Sequence, residues 1–455
     1  MEEWVRRAPE LWKTGLPVLA SEGALGLTLT VATVGMLFRR FDAAWAAILG
    51  LAAAFVVEYF SSPGAYGVLF VSDHLSRQAC LASDLLFLGC VALMAVEGRR
   101  GARYLPEHFA LMLAMDLGVH LTVKAGHGLA AFAGMELTAL SAYVLVALGA
   151  GRRPGESAEA GVKFMLFGAA ASAVFLYGWS WYFGATGGLT LSGQSPGALA
   201  AALLAVGLLM KTGGFPMHFW APDVFEGGPS PVAAALAGPS KLAGFVLLIR
   251  LFPSPSSETA LVAMAAGAAS LLLGNLSALR QTHFRRLLGY SGVAHAGLGL
   301  LLFAGGGGER AIVYYLSLYG AINLLALATA SLMEWRTGSG IMDAWKGAGG
   351  GATAATGWAV GAAALAGLPP TAGFAAKIVA LFALWKSLGA AWTLFALGNA
   401  VVALFAYFKA PYRIFFYPPE KNRPPQAVPT DYKILVVALT AVVALLGLWG
   451  YGGSL

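Results

Sequence analysis

The sequence predicts an all-α polytopic membrane protein of about 14 transmembrane helices. Three observations lead there. The chain is 58% hydrophobic and only 11% charged, against roughly 25% charged in soluble domains, and its mean hydropathy is +0.72. Apolar runs of about 17–25 residues, the length that crosses a bilayer, follow one another with no connection long enough to be a domain. Two of those runs join glycine, proline and a lone lysine, in "GLLMKTGGFPMHFW" and "LAGLPPTAGFAAKIVALF".

In order, the first four runs lie near 16–38, 43–60, 78–97 and 106–124, with Asp84, Asp116, His120 and Lys124 interrupting the third and fourth. Asp116, His120 and Lys124 recur at four-residue spacing, one face of a helix, and read as an interface facing another subunit. The next runs lie near 127–149, 160–183 and 197–221, then 231–252, 258–279, 287–304 and 309–333. The last three lie near 354–384, 390–410 and 431–450. Pro216 cannot donate a backbone hydrogen bond and Gly213–Gly214 loosens the chain, so the seventh helix breaks there. Pro369–Pro370 breaks the twelfth in the same way. The Gly238–Pro239 pair before Lys241 predicts a further break in the eighth.

Two broken helices five apart imply two five-helix repeats of opposite orientation, because an odd offset inverts the second copy. The boundaries that follow are 1–104 for helices one to three, 105–252 for a first repeat, 253–412 for a second and 413–455 for the last helix. Basic residues set the orientation. Loops after odd-numbered helices carry Arg39, Arg40, Arg99, Arg100, Arg103, Arg152, Arg153, Arg280, Arg285, Arg286, Arg336, Lys346, Lys409, Arg413, Lys421 and Arg423. Loops after even-numbered ones carry Arg77, Lys124, Arg250, Arg310 and Lys386. The first group is therefore cytoplasmic and both termini face out, although Arg6, Arg7 and Lys13 pull the other way. "MEEWVRRAPELWKTG" lacks a basic n-region and a small-residue cleavage site, so it reads as mature sequence.

A charge inside a spanning segment points to function, since a lysine at the bilayer centre costs about 2.5–3.5 kcal/mol. Glu136, Lys211, Lys241 and Lys377 meet that criterion, and His295 lies within the tenth helix. A Glu–Lys pair that forms and separates switches the lysine between holding and releasing a proton. The break beside Lys211 frees carbonyls that bilayer depth tolerates only against protein or water, which predicts a wet half-channel reaching it. His218, seven residues beyond Lys211, titrates near neutral pH and suits a relay. Lys163 serves equally well as a relay or as a side chain snorkelling to the interface.

Other chemistries are excluded. Cys80 and Cys90 offer no spacing for iron–sulfur or zinc ligation, so neither a redox cofactor nor a metal is expected. The runs "GAGGGATAATG" and "FAGGGGER" lack the strand–turn–helix setting of a phosphate loop. The net charge of +7 is scattered over short loops and forms no nucleic-acid stripe.

Five stretches in order, "FAGMELTALSAYVLVAL", "GVKFMLFGAAASAVFLYGWSWYFGATGGL", "LLMKTGGFPMHFWAPDVFEGGPSPV", "RRLLGYSGVAHAGLGL" and "GLPPTAGFAAKIVALF", resemble the antiporter-like membrane subunits of respiratory complex I, most closely the N-type. The resemblance covers roughly residues 105–410. It implies that Glu136 pairs with Lys211, that Lys241 and His295 belong to a central hydrophilic axis, and that Lys377 is the terminal exchange residue. It implies a proton-translocating NADH–quinone oxidoreductase subunit in the cell inner (plasma) membrane. That subunit has no cofactor of its own and packs beside other membrane-arm subunits, especially a neighbouring antiporter-like one. A multi-subunit cation/proton antiporter, a membrane-bound hydrogenase and a scaffold without flux stay open as alternatives. The first hundred residues match only in hydropathy.

Overall fold

Long apolar runs without competing polar groups satisfy their own backbone hydrogen bonds as helices, and helices dominate the structure. The computed structural model describes residues 17–35, 42–98, 105–149, 154–191, 197–306, 308–348, 352–418 and 427–449. Residues 1–15 and the cations Arg39, Arg40, Arg99, Arg100, Arg103, Arg152, Arg153, Lys421 and Arg423 of the orientation argument lie outside the described residues. The helices begin with α1 (Ala20–Gly35), α2 (Ala43–Phe60), α3 (His74–Gly98), α4 (Leu105–Val123), α5 (Gly128–Leu148) and α6 (Pro154–Thr186). They continue with α7 (Gly197–Thr212), α8 (Trp220–Gly227), α9 (Ser230–Leu251), α10 (Ser257–Arg280), α11 (Phe284–Ala304) and α12 (Glu309–Thr337). The last are α13 (Ala352–Ala366), α14 (Ala372–Leu388), α15 (Ala390–Tyr407), α16 (Lys409–Phe416) and α17 (Thr430–Trp449). Ten spans among the described residues are long and apolar enough to cross a membrane, and Gly197–Thr212 and Thr353–Ala366 are shorter apolar helices.

A small hairpin, β1 (Gly64–Tyr66) with β2 (Phe70–Ser72), departs from the all-helical expectation. Its purpose is visible in its partners. Val71 N donates to Lys124 O at 2.7 Å, Gly126 N to Leu69 O at 2.8 Å and Leu191 N to Gly126 O at 2.9 Å. The connections after α2, α4 and α6 are thus stitched together at one end of the bundle. At the other end, Arg285 donates to Gly228 O at 2.7 Å, Ser157 to Gly227 O at 2.8 Å and Arg413 to Asp343 at 2.8 Å. The connections after α5, α8, α10 and α12 thus gather at that second end.

Both expected breaks are present. α7 ends at Thr212 and α8 starts at Trp220; α13 ends at Ala366 and α14 starts at Ala372. Gly213 (φ +71°) and Gly367 (φ +79°) take the left-handed conformation at the two exits, which favours glycine there. The eighth helix differs from expectation. Gly238–Pro239 does not open it; Leu236–Ser240 forms a π turn within the continuous span Ser230–Leu251. One extra residue per turn moves the proline ring away from the preceding carbonyl, so the helix survives. The core lies along α9, α11 and α12, whose apolar windows are 94%, 94% and 83% buried.

Candidate functional site

The first broken helix delivers Lys211 to the end of α7. Its ammonium lies 3.4 Å from Glu136 Oε1 on α5, and the two side chains are 12% and 21% exposed. Ser172 on α6 donates to the same carboxylate oxygen at 2.5 Å. Trp220, across the break, donates to Met210 O at 2.9 Å and so satisfies a carbonyl released at the helix end. A cavity of about 20 Å³ touches Lys211, Met135, Tyr143, Trp220 and Ser240. That is space for a single water molecule at Lys211, where the sequence predicts a half-channel.

Lys241 follows the π turn directly. It is 5% exposed, donates to Gly292 O on α11 at 2.5 Å, and has the ring of Tyr319 5.9 Å from its nitrogen. The glycine that ends α7 adjoins it, since a Cβ at Gly213 would stand 4.0 Å from the Lys241 nitrogen. His295 stacks on Tyr319 with ring centres 3.8 Å apart. Its Nδ1 is 2.5 Å from the Tyr315 hydroxyl and its Nε2 is 3.4 Å from that of Tyr407. A cavity of about 40 Å³, room for a few waters, is lined by His295, Tyr315, Tyr407, Asn275 and Lys377.

Lys377 lies on α14, beyond the second break, and reaches back across it. Its ammonium donates to Leu365 O and Ala366 O, both at 2.8 Å. These are the carbonyls that α13 leaves without helical partners. Glu136 thus meets Lys211, Lys241 meets Tyr319, and His295 shares its cavity with Lys377. Lys163 engages other partners: 45% exposed, it pairs with Glu159 at 2.6 Å and Asp223 at 3.6 Å. His218 is half-buried between the rings of Phe215 and Phe219, at 5.8 and 4.6 Å.

Sequence reading missed the tyrosines. Tyr315 and Tyr319 stand one helical turn apart in "YYLSLYG", a polar face in an apolar helix, and that spacing was the available signal. It also misplaced the α4 stripe. Asp116, His120 and Lys124 are fully buried within this chain, among Glu22, Glu58 and Asp84, and do not face another subunit. Sequence gives no sign of those acids' positions, since they come from three other helices. Two triplets around His120, Glu22–Cys80–His120 and Asp84–Asp116–His120, bring ligand atoms within 4.8 Å. Lys124, 2.9 Å from Glu22, already places a cation beside the first triplet, and we read neither as a metal site.

Broken helices bearing lysines, set in an apolar bundle and joined by histidine and tyrosine, define a polytopic membrane protein of the kind built around discontinuous helices. The comparisons agree. The family described as NADH:quinone oxidoreductase/Mrp antiporter, TM, matches residues 125–403. NADH-quinone oxidoreductase subunit N of Heliobacterium modesticaldum is 32% identical over 452 residues, 93% of this chain and 94% of that one. NAD(P)H-quinone oxidoreductase subunit 2 of Trichormus variabilis is 34% identical over 425 residues, 85% of this chain and 80% of that one. A chain of respiratory complex I from Thermus thermophilus, solved with bound aureothin, superposes with a TM-score of 0.82 at 31% identity. The match covers 94% of this chain and 97% of that one. The chain belongs to the NADH:quinone oxidoreductase/Mrp antiporter membrane family.

Proposed function

We infer that this chain is the N-type membrane subunit of a proton-translocating NADH–quinone oxidoreductase, a translocase component with no redox cofactor of its own. The observation that carries the reading is the Glu136–Lys211 pair at 3.4 Å. Redox energy released elsewhere in the complex changes that distance. Separation leaves the Lys211 ammonium without its counter-charge, and it gives up a proton toward Lys241. From there the proton passes along Tyr319, His295 and the cavity that His295 shares with Lys377 to Lys377, the exchange residue. Lys163 and His218 are loading groups at the edges of this route.

The topology we propose has fourteen crossings, with α7–α8, α13–α14 and α15–α16 each counted as one. Residues 105–252 and 253–412 form the two inverted repeats, 1–104 precede them and 413–455 follow. Both termini face outward from the plasma membrane, and a neighbouring antiporter-like subunit packs alongside within the membrane arm. The rival readings are a subunit of a multi-subunit cation/proton antiporter, which the family's joint description also names, and a subunit of a membrane-bound hydrogenase with the same fold.

NADH-driven proton uptake in membrane vesicles tests the reading, with wild type compared to Glu136→Gln. Oxidation and uptake falling together in an assembled complex support the coupled pump. Unchanged oxidation and uptake, with loss of sodium-driven proton exchange, would assign the chain to the antiporters.

A further inference from the structure

The polar cluster of α1–α4 lies entirely before residue 125, where the family match begins. Glu22, Glu58, Asp84, Asp116, His120 and Lys124 are 0–7% exposed. Lys124 contacts Glu22 at 2.9 Å and Glu58 at 2.7 Å, and donates to Val18 O at 3.0 Å. His120 uses both ring nitrogens, Nδ1 3.3 Å from Glu22 and Nε2 3.1 Å from Asp84. Ser83 donates to Asp116 Oδ1 at 2.6 Å. Cys80 adjoins His120.

Two observations bear on the protonation of this cluster. Four carboxylates face the Lys124 ammonium and the His120 imidazole; with the ring neutral, full ionisation leaves three uncompensated negative charges in an apolar bundle, which burial opposes strongly. The second oxygens, Asp84 Oδ2 and Asp116 Oδ2, are buried with no hydrogen-bond partner, although ligand atoms of Asp84, Asp116 and His120 lie within 4.8 Å of one another. Buried carboxylate oxygens are rarely stable without a donor. One proton shared between the two acids supplies the donor that one oxygen lacks and removes a charge at the same time.

We propose that Asp84 and Asp116 hold an exchangeable proton, and that His120 passes it to and from Glu22. The balance is simple: the proton on the aspartate pair moves to His120 Nε2 while the proton on Nδ1 moves to Glu22. The ring ends neutral as it began, and one proton has advanced. Glu22 lies at the end of the bundle closed by the β1–β2 hairpin, where Lys124 O accepts from Val71 N, so exchange occurs from that end. The site also adjoins the Glu136 helix. α4 and α5 cross backbone to backbone, since a Cβ at Gly134 would stand 2.6 Å from Thr122 N. The groups facing the pair from all four helices are those named above.

Infrared difference spectroscopy of the purified intact complex across a pH step tests this. The expected result is a protonated-carboxyl carbonyl band that shifts in D2O, disappears in Asp116→Asn and is displaced in His120→Gln. A band unchanged in both variants overturns the proposal, and so does a band that follows sodium at fixed pH instead of pH. If Asp116→Asn does not assemble, Asp116→Glu must displace the band. If neither assembles, wild-type complex labelled with [13C]carboxyl aspartate decides, and the absence of any shifted protonated-aspartate band overturns the proposal. Because the readout is an acid's spectrum and not pumping, its failure is distinguishable from failure of the Lys211 route.

Discussion

The two broken helices use the same residues to opposite ends. In the first, the lysine precedes the break and faces a carboxylate, Glu136, at 3.4 Å. In the second, the lysine follows the break and faces carbonyls only, Leu365 O and Ala366 O at 2.8 Å. The charged Glu136–Lys211 pair is net neutral, whereas a charged Lys377 is solvated by dipoles and stays a net cation. One break therefore sets its lysine against a carboxylate, and the other sets its lysine against carbonyl dipoles alone. The released carbonyls show the same division of labour: Trp220 occupies Met210 O in the first helix, and the lysine itself occupies them in the second.

The largest test of this contrast is Lys211→Ala in the intact assembly. Removing one member of a mostly buried pair costs about 3 kcal/mol, and NADH-driven proton uptake should fall at least about tenfold. Adding Glu136→Gln to it should cost little more, because the two act as a unit; additive losses would break the pair apart. Next comes Lys377→Arg. The guanidinium can donate to both carbonyls but does not release a proton, so uptake should fall as far as in Lys377→Ala. Uptake at the wild-type rate in Lys377→Arg would make Lys377 a structural clamp.

A smaller effect is expected at Tyr407→Phe, which removes the hydroxyl between Ser291, at 2.7 Å, and His295. One lost hydrogen bond is worth about 1 kcal/mol, roughly a fivefold slowing of coupled turnover; an unaltered rate would remove Tyr407 from the route. The smallest lies in the loop leading to the second broken helix. Arg413, and then Lys346, hold the Asp343 carboxyl below its ordinary value. A lowered folded-state value means that its stabilisation is present above about pH 4 and is lost as pH falls through the lowered value. For so exposed a pair this is about 0.5 kcal/mol or less. Wild type and Asp343→Asn should therefore differ slightly in thermal stability at neutral pH and converge in acid.

Much of this was readable in the chain, because the signals are local. An apolar run long enough to cross a bilayer, a Pro–Gly break and a lone lysine each announce themselves within twenty residues. Whether Gly238–Pro239 opens a helix or becomes a π turn depends on the packing of α9 against α12, where a Cβ at Gly238 would stand 2.9 Å from Gly320 Cα. The tyrosines around His295 were hidden because an aromatic in an apolar helix usually only packs. The α4 stripe is legible but its direction is not, since the partners of Lys124 are 66 and 102 residues away, at Glu58 and Glu22.

The depth of the central helices bears on how the protein is made. α9, α11 and α12 hardly touch lipid once folded, so their apolar character is more than their final surroundings require. Each must still enter the bilayer from the translocon as a single helix, before its neighbours exist. At that moment Lys241 has no Gly292 carbonyl and no tyrosine ring to receive it, and costs about 2.5–3.5 kcal/mol. The seven residues Leu242, Phe245, Val246, Leu247, Leu248, Ile249 and Leu251 that follow it return about 2–4 kcal/mol on the same insertion scale. The greasy half of α9 carries its own lysine across, and the bundle that later shelters the charge is not needed until the helix has arrived.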